Sequence, residues 1–567
     1  MFDSLPKYAS GILDWSWSSF EPYVTDLTDR SLAEDSVGEF LADWSHLGEL
    51  VSEVFARLNL AAAKDISDKD AEQRYYRFLE EILPKAIEAD QKLKEKLLAQ
   101  DTAPPSFELP LRKMRVEAEL FREENLPLIT EEQKLCTEYD KIVGSRTVIW
   151  EGKEITLIQL QPFFQDPDRV LREKAWRTSV ARRIEDRQAI SDLWARLLDI
   201  RVREARNADY GDYRSFRWKE LHRFDYTPED CLAFHEAIEE AVVPVALRVT
   251  EKRRKAIGVE SIRPWDTKVD PAGRPALVPF TEASDLEIGV RTIFEKVDPA
   301  LGAYFRIMRE EGLLDLANRK NKRPGGFCTE FQAIKRPFIF MNAVGVHDDV
   351  QTLLHESGHA FHVFESNHLP YVQQRDVGIE FAEVASMGME LIASPYLRKD
   401  EGGFYDPSDA ARAVIEHLEQ SILFWPYMAV VDAFQHWVYG NAADAADGSK
   451  CCLKWLELMK RFLPWIDYSG LDEETMIGWQ SQLHIHTAPF YYVEYGLAQL
   501  GAAQVWANSL EDQAAAVASY RRALALGGTV SVPDLFSAAG AKFSFDAEVL
   551  GSAAQLMERT IDRLSRQ

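Results

Sequence analysis

Cysteine is scarce in this chain. There are five in 567 residues, and two of them, Cys451-Cys452, are adjacent. That number and spacing exclude a disulfide framework and point to reduced thiols. Long apolar runs are missing too. No stretch approaches the length that a bilayer demands, which argues against a membrane-spanning class. The N-terminus, Met1-Phe2-Asp3-Ser4-Leu5-Pro6-Lys7, has no basic region followed by an apolar core. No signal peptide is therefore expected, and a cytoplasmic location is. Positive charge is in short supply: 66 Lys and Arg stand against 92 Asp and Glu, a net charge of −26. This disfavours nucleic acid and anionic membrane as partners and leaves the substrate open. Internal repeats, low-complexity segments and heptad arrays are also absent.

What is present is apolar residue content of 46%, ordinary for a globular protein. The length suits several domains or one large two-lobed body with a substantial core. Most of the chain carries helical periodicity. Such patterns run over Phe40–Leu60, Asp70–Ala99, Asp168–Ala208, Thr227–Ile257, Glu282–Glu311 and much of Ala410–Gln567. Asp101-Thr102-Ala103-Pro104-Pro105-Ser106 reads as a connection. Thr147–Trp150 and Ile155–Ile158 flank Glu151-Gly152-Lys153 as a short β-hairpin. Pro337-Phe338-Ile339-Phe340-Met341-Asn342 is β-like. The expected organisation is an N-terminal helical region over 1–110, a hairpin with helices over 111–210, and a catalytic region over 211–567.

One pentapeptide carries chemistry: His355-Glu356-Ser357-Gly358-His359. Asp348-Asp349 mark a helix start just before it. On a helix, residues four apart project from one face, so the two imidazoles can share a zinc ion. Glu356 lies between them, placed to take a proton from an activated water. This is the H-E-x-x-H pattern of zinc hydrolases. Gly358 inside that helix costs about 1 kcal/mol relative to alanine, which suggests that another segment approaches the backbone there. Catalytic zinc usually takes a third protein ligand. The helical pattern Ile379–Leu391 offers Glu380, Glu383 and Glu390, and spacing does not choose among them. His362, about 10 Å along the helix from His355, is too far to share the ion and suits a packing role. Downstream, His484, His486, Tyr491, Tyr492 and Tyr495 crowd one segment. Hydroxyls and imidazole N–H groups of this kind suit a developing oxyanion.

These stretches resemble the oligoendopeptidase F family, relatives of thimet oligopeptidase. The match is carried by His355-Glu356-Ser357-Gly358-His359-Ala360-Phe361-His362, by Phe381-Ala382-Glu383-Val384-Ala385-Ser386, and by Gly325-Gly326-Phe327-Cys328. The resemblance implies a mainly helical, two-lobed body with a few short strands and a deep substrate channel. It implies one zinc ion per chain on His355, His359 and Glu383, with Glu356 as general base. It places His486 and Tyr495 where the family binds substrate and stabilises the intermediate. Thimet-type enzymes carry a further tyrosine where this chain has Ala498, which leaves the main oxyanion donor open among Tyr491, Tyr492 and Tyr495, Tyr495 first, with Tyr491 and Tyr492 expected as substrate contacts. It also implies an edge strand along the cleft, here Phe338–Asn342 with Phe340 and Asn342 beside the peptide, pairing with it by β-augmentation. The expected activity is endopeptidase cleavage of oligopeptides, with the oligomeric state left open. Two alternatives stand beside it. One is a zinc carboxypeptidase or dipeptidyl carboxypeptidase, which needs a cation for the substrate carboxylate, with Arg336 and Arg375 as candidates. The other is a helical peptide-binding or scaffold protein with a structural zinc or none.

Overall fold

The computed structural model describes residues 1–100 and 103–566. Of the expected connection, Asp101 and Thr102 lie outside the described residues, as does Gln567 at the end of the last helical pattern. The body is mainly helical, as expected, with five short strands among the described residues. Several long periodic stretches break into two helices. Thr227–Ile257 becomes Pro228–Ala241 and Val243–Ile257, and Glu282–Glu311 becomes Ala283–Val297 and Pro299–Glu310. Pro244 and Pro299 open the second helix of each pair. A proline fits the first turn but cannot continue a helix from the residue before it. Asp298 adds a cap, accepting the Ala300 N–H at 2.8 Å. Asp168–Ala208 divides at Asp186 without a proline.

The largest core cluster runs from Ala56 to Ile561 in sequence, and a second one from Leu5 to Met114. The helix Val37–Lys64 supplies side chains to both, so it ties the N-terminal helices to the main body. The expected boundary at 110 falls inside the helix Glu108–Leu120. The one at 210 falls in a turn between Arg187–Asn207 and Tyr213–Glu220. No described helix is long and apolar enough to cross a membrane.

The hairpin forms with a slightly earlier second strand: β1 (Thr147–Trp150) pairs with β2 (Lys153–Thr156). Glu151 and Gly152 have φ of 50° and 81°, the positive angles that a tight two-residue hairpin loop requires. The second sheet has β3 (Leu314–Ala317), β4 (Phe327–Phe331) and β5 (Arg336–Ala343) in the order β3-β5-β4. β3 runs parallel to β5 and β4 antiparallel to it, with Phe327 opposite Phe340. The sheet corrects one expectation. Phe338–Asn342 belongs to the central strand, not the edge. Its run Phe338-Ile339-Phe340-Met341 is buried throughout, which is what an unbroken apolar stretch signals in a strand covered on both faces. The edge is β4.

The motif helix, His347–Ser366, starts where Asp348-Asp349 indicated. The Asp349 carboxylate accepts N–H bonds from Val344, Gly345 and Val346 at 2.7–3.0 Å. Against it packs the glutamate helix, Ile379–Ile392. The Gly358 expectation holds. A Cβ at that position would lie 2.4 Å from the Ala385 carbonyl oxygen and 2.6 Å from Ser386 Cα. Only a hydrogen lets the two backbones meet, and that contact sets the separation between their inward-facing side chains.

Candidate active site

His355, His359 and Glu383 bring ligand atoms within 4.8 Å of one another. His355 Nε2 lies 3.2 Å from Glu383 Oε2, and His359 Nε2 lies 3.5 Å from the same oxygen. The two imidazoles come from adjacent turns of the motif helix, the carboxylate from the glutamate helix. Burial alone would lift the Glu383 carboxyl, but the two histidines outweigh it and hold it well below the usual range. Burial likewise opposes charge on His355, yet Glu383 and Glu390 hold that imidazole well above its ordinary value.

Glu390 is the carboxylate that sequence spacing could not assign. Its Oε1 sits 2.7 Å from His355 Nδ1. An N–H at Nδ1 donated to Glu390 leaves the Nε2 lone pair pointing at the cluster, the tautomer a metal ligand needs. His417 Nε2 lies 3.5 Å from the other Glu390 oxygen. Glu383 is fixed in turn by Ser386 Oγ at 2.8 Å and by the Tyr491 hydroxyl, which donates to Oε1 at 2.7 Å. Glu380 points elsewhere and accepts from the Tyr226 hydroxyl at 2.7 Å.

Glu356 is buried and borders a cavity of about 730 Å³. Burial raises its carboxyl above the ordinary range, with the histidines pulling the other way. A second cavity of about 410 Å³ meets the first at Gly326, His355 and Glu356 and continues towards Gln351, Gln420 and Gln499. The cluster therefore sits part-way along a cleft, with space on both sides. Facing it across the larger cavity are Phe55 and Asn59 of the helix Val37–Lys64, and Cys136 and Asp140 of the helix Leu126–Gly144. The free edge of β4, with Phe327, Cys328, Thr329 and Glu330, forms part of the wall. A Cβ on Gly326 would lie 3.3 Å from Glu356 Oε1, so the backbone at the start of this edge runs directly past that carboxylate.

Residues 163–554 match the sequence profile of Peptidase family M3. The chain belongs to that family. A solved structure of Pz peptidase A with an inhibitor is similar over 99% of both chains, at 28% identity and a TM-score of 0.90. Oligopeptidase PepF of Bacillus subtilis (strain 168) is 22% identical over 333 residues, 57% of this chain and 47% of PepF. The chromosomal oligoendopeptidase F of Lactococcus lactis subsp. cremoris is 29% identical over 160 residues, 28% of this chain and 26% of that protein. The chain spans about half the length, or less, of the curated relatives it matches. Family membership agrees with the resemblance carried by the motif and Glu383 stretches.

Of the other expected site residues, His486, Tyr492, Phe340 and Asn342 fall outside the cleft, while Tyr491 and Tyr495 line it. His486 is fully buried outside the cleft. It stacks between Tyr139 at 4.3 Å and Trp479 at 5.7 Å, and its Nδ1 faces the Gln482 carbonyl at 3.1 Å. The histidine in the cleft wall is His484, whose Nε2 lies 3.3 Å from the Tyr495 hydroxyl. The two are two residues apart on the short helix Leu483–Thr487. That is about 200° of helical rotation, so they face opposite ways. Tyr491 and Tyr495 line the cleft, whereas Tyr492 is buried against Phe424 and Tyr427. Phe340 is buried in the sheet, stacked on Phe327 at 4.8 Å. Asn342 donates to the Arg323 and Gly325 carbonyls and so shapes the turn before β4, where it makes no wall of the cleft. His362 takes the packing role, edge-on to Phe381, with burial pushing its pKa down to about 3.

Sequence reasoning missed the residues that hold the tyrosine segment. Arg201, fully buried, binds the Ile485 and His486 carbonyls and the Tyr439 hydroxyl. Arg223 Nη2 donates to the Phe490 carbonyl and to Glu494, both at 2.6 Å. Gln435 Oε1 accepts the Phe490 N–H at 2.7 Å. These partners lie 55 to 285 residues away in sequence, and no local pattern announces them.

Proposed function

We propose that this chain is a zinc-dependent endopeptidase that hydrolyses oligopeptides. One observation carries the reading. The donor atoms of His355, His359 and Glu383 converge beside Glu356, in a cleft that continues on both sides of the cluster. Two imidazoles and one carboxylate, with an open side towards the cleft, are the donor set of a catalytic rather than a structural zinc site. The orientation of His355 by Glu390 supports the fit. When bound there, zinc would lower the pKa of a water and polarise the scissile carbonyl.

The chain's own groups supply the rest. A peptide adding to the free edge of β4 is held by backbone hydrogen bonds, which fix its register without reading its sequence. The edge passes Glu356 at Gly326, so the scissile bond comes to lie over that carboxylate. Glu356 Oε takes a proton from the attacking water and passes it to the departing amine nitrogen. Its burial raises the pKa and so makes it a stronger base than an exposed glutamate. The Tyr495 hydroxyl, with His484 beside it, faces the cleft and donates to the developing oxyanion. Tyr491 holds Glu383 in place.

The exopeptidase reading is the weaker one. Arg323 and Arg375 are the Lys or Arg side chains among the described lining residues, and each already faces a carboxylate of the chain. Arg375 pairs with Glu49, and Arg323 with Asp140 at 3.4 Å. Arg336 pairs with Glu311 at 2.8 Å and does not line the cleft. A C-terminal carboxylate would have to compete with these pairs, and only Arg375, whose Nε and Nη1 have no hydrogen-bond partner among the described residues, keeps donors for it. We place the enzyme in the cytoplasm, acting on short peptides. The test is digestion of peptides blocked at both ends, beside the same peptides with free C-termini, with and without a chelator. Internal cleavage that the chelator abolishes is expected. Trimming confined to free C-termini would overturn the endopeptidase reading, and chelator-resistant cleavage the metal.

A further inference from the structure

A second group of metal-ligating side chains lies outside the cleft, where the helices Pro228–Ala241 and Pro407–Gly440 pack together. Cys231, Asp432 and His436 bring ligand atoms within 4.8 Å of one another. His235 stands outside that trio, but its Nε2 lies 2.8 Å from Asp432 Oδ2, and a small shift of its side chain would make it a fourth donor. The four form two pairs at four-residue spacing, Cys231 with His235 and Asp432 with His436. Each helix thus offers two donors from one face, one turn apart. Facing helices with such pairs are a common way to build a metal site inside a helical body.

All four side chains are buried: Cys231 and Asp432 are 0% exposed, His235 3% and His436 6%. The hydrogen bonding among them is incomplete. Asp432 Oδ1 and His436 Nε2 have no hydrogen-bond partner among the described residues. His436 Nε2 is 3.3 Å from Asp432 Oδ2, a charge contact without hydrogen-bond alignment. A buried carboxylate oxygen and a buried imidazole nitrogen left unpaired are costly, and an ion between them removes that cost. A thiol, two imidazoles and a carboxylate select a borderline-soft divalent ion, zinc before calcium or magnesium. Four protein donors in a dry pocket leave no open position, the mark of a structural rather than a catalytic ion.

We propose that Cys231, His235, Asp432 and His436 form a second, structural site for a zinc-class divalent ion, clamping these two helices together. Loading releases the Cys231 thiol proton to solvent and displaces any proton from the cluster-facing nitrogens. Arg214 Nη1 lies 3.4 Å from His436 Nδ1, on the ring edge away from the cluster. A guanidinium only donates, so in this contact Nδ1 accepts and Nε2 carries the hydrogen; binding an ion at Nε2 requires that hydrogen to move to Nδ1 and the Arg214 contact to open. The clamp has a consequence for the cleft. His436 packs edge-on to Phe490 at 5.3 Å, and its neighbour Gln435 holds the Phe490 N–H. Phe490 has φ of +65°, a left-handed conformation that a bulky residue keeps only when its surroundings enforce it. The turn braced in this way presents Tyr491 and Tyr495.

Cobalt reconstitution tests the proposal, because only this cluster offers a thiolate; the cleft cluster is histidine and glutamate. The metal-free full chain is loaded with cobalt and dialysed, its metal is counted, and its near-ultraviolet absorption is recorded. About two equivalents per chain and a thiolate-to-cobalt charge-transfer band are expected. Cys231→Ala should lose the band and one equivalent, and Glu383→Ala should keep the band and lose the other. One equivalent without a thiolate band in the unaltered chain overturns the proposal, whether or not Cys231→Ala folds. A band that survives Cys231→Ala overturns it as well.

Discussion

Two histidine pairs in this chain look equally suggestive in sequence and end up with different fates. His355 and His359, four apart on a twenty-residue helix, turn the same way and meet Glu383. His484 and His486, two apart on a five-residue helix, turn opposite ways. One enters the cleft wall, and the other is stacked inside the core. The difference lies in what sets each geometry. A long helix with a capped start has a rigid period, so spacing alone predicts direction. A five-residue turn has little periodicity of its own, and distant arginines and aromatics decide how it sits. A histidine matched by counting along such a turn can be wrong by two residues even when the segment is right.

The largest effect that could break this comparison is at Glu356. Glu356→Gln should keep its metal and lose roughly 10²–10⁴-fold in kcat; undiminished turnover would remove Glu356 from the mechanism. In the tyrosine segment, Tyr495→Phe should cost roughly 10²-fold, mainly in kcat, because the hydroxyl acts on the transition state. A change confined to KM would make it a plain binding contact. Glu390→Gln should weaken metal binding by roughly 10–100-fold in chelator competition, since His355 loses the partner that fixes its tautomer. Unaltered affinity would leave Glu390 without that role.

The two histidines of the short turn should then separate cleanly. Burial drives His484 down to about 4, so it takes up a proton only below that pH and stays neutral through the neutral range. His484→Gln should therefore lower kcat without moving the acid limb of the pH profile. A shift of that limb would mean that His484 itself titrates there. His486→Leu should leave kcat within about twofold and lower stability by roughly 2 kcal/mol, read in denaturant unfolding. Loss of turnover at unchanged stability would return His486 to the catalytic group.

Much of the site was legible because its chemistry is local. Asp348-Asp349 gave the helix start, the four-residue histidine spacing gave the shared face, and Gly358 announced a close approach that proved to be Ala385 and Ser386. Glu383 was different. Three glutamates on one helix were equivalent to periodicity, and a family resemblance singled it out. The packing now separates them: Glu383 turns to the imidazoles, Glu390 to the back of His355, and Glu380 to Tyr226. The strand assignment failed for a similar reason. Phe338–Asn342 is correctly β-like, but no local feature states whether a neighbour covers one side or both. β3 and β4 cover both, and the edge that borders the cleft is Phe327–Phe331.

The sequence by itself determined the helices, the hairpin and the pair of imidazoles, because each follows from backbone period, capping or proline within a few residues. Tertiary structure alone decided which histidine of the turn faces the cleft, which strand is the edge and which glutamate meets which partner. It also brought Cys231 and His235 to Asp432 and His436, about 200 residues apart in the chain. Direction within one regular helix is fixed by local geometry. Contact between segments depends on how whole elements pack, and no window of sequence contains both sides of that contact.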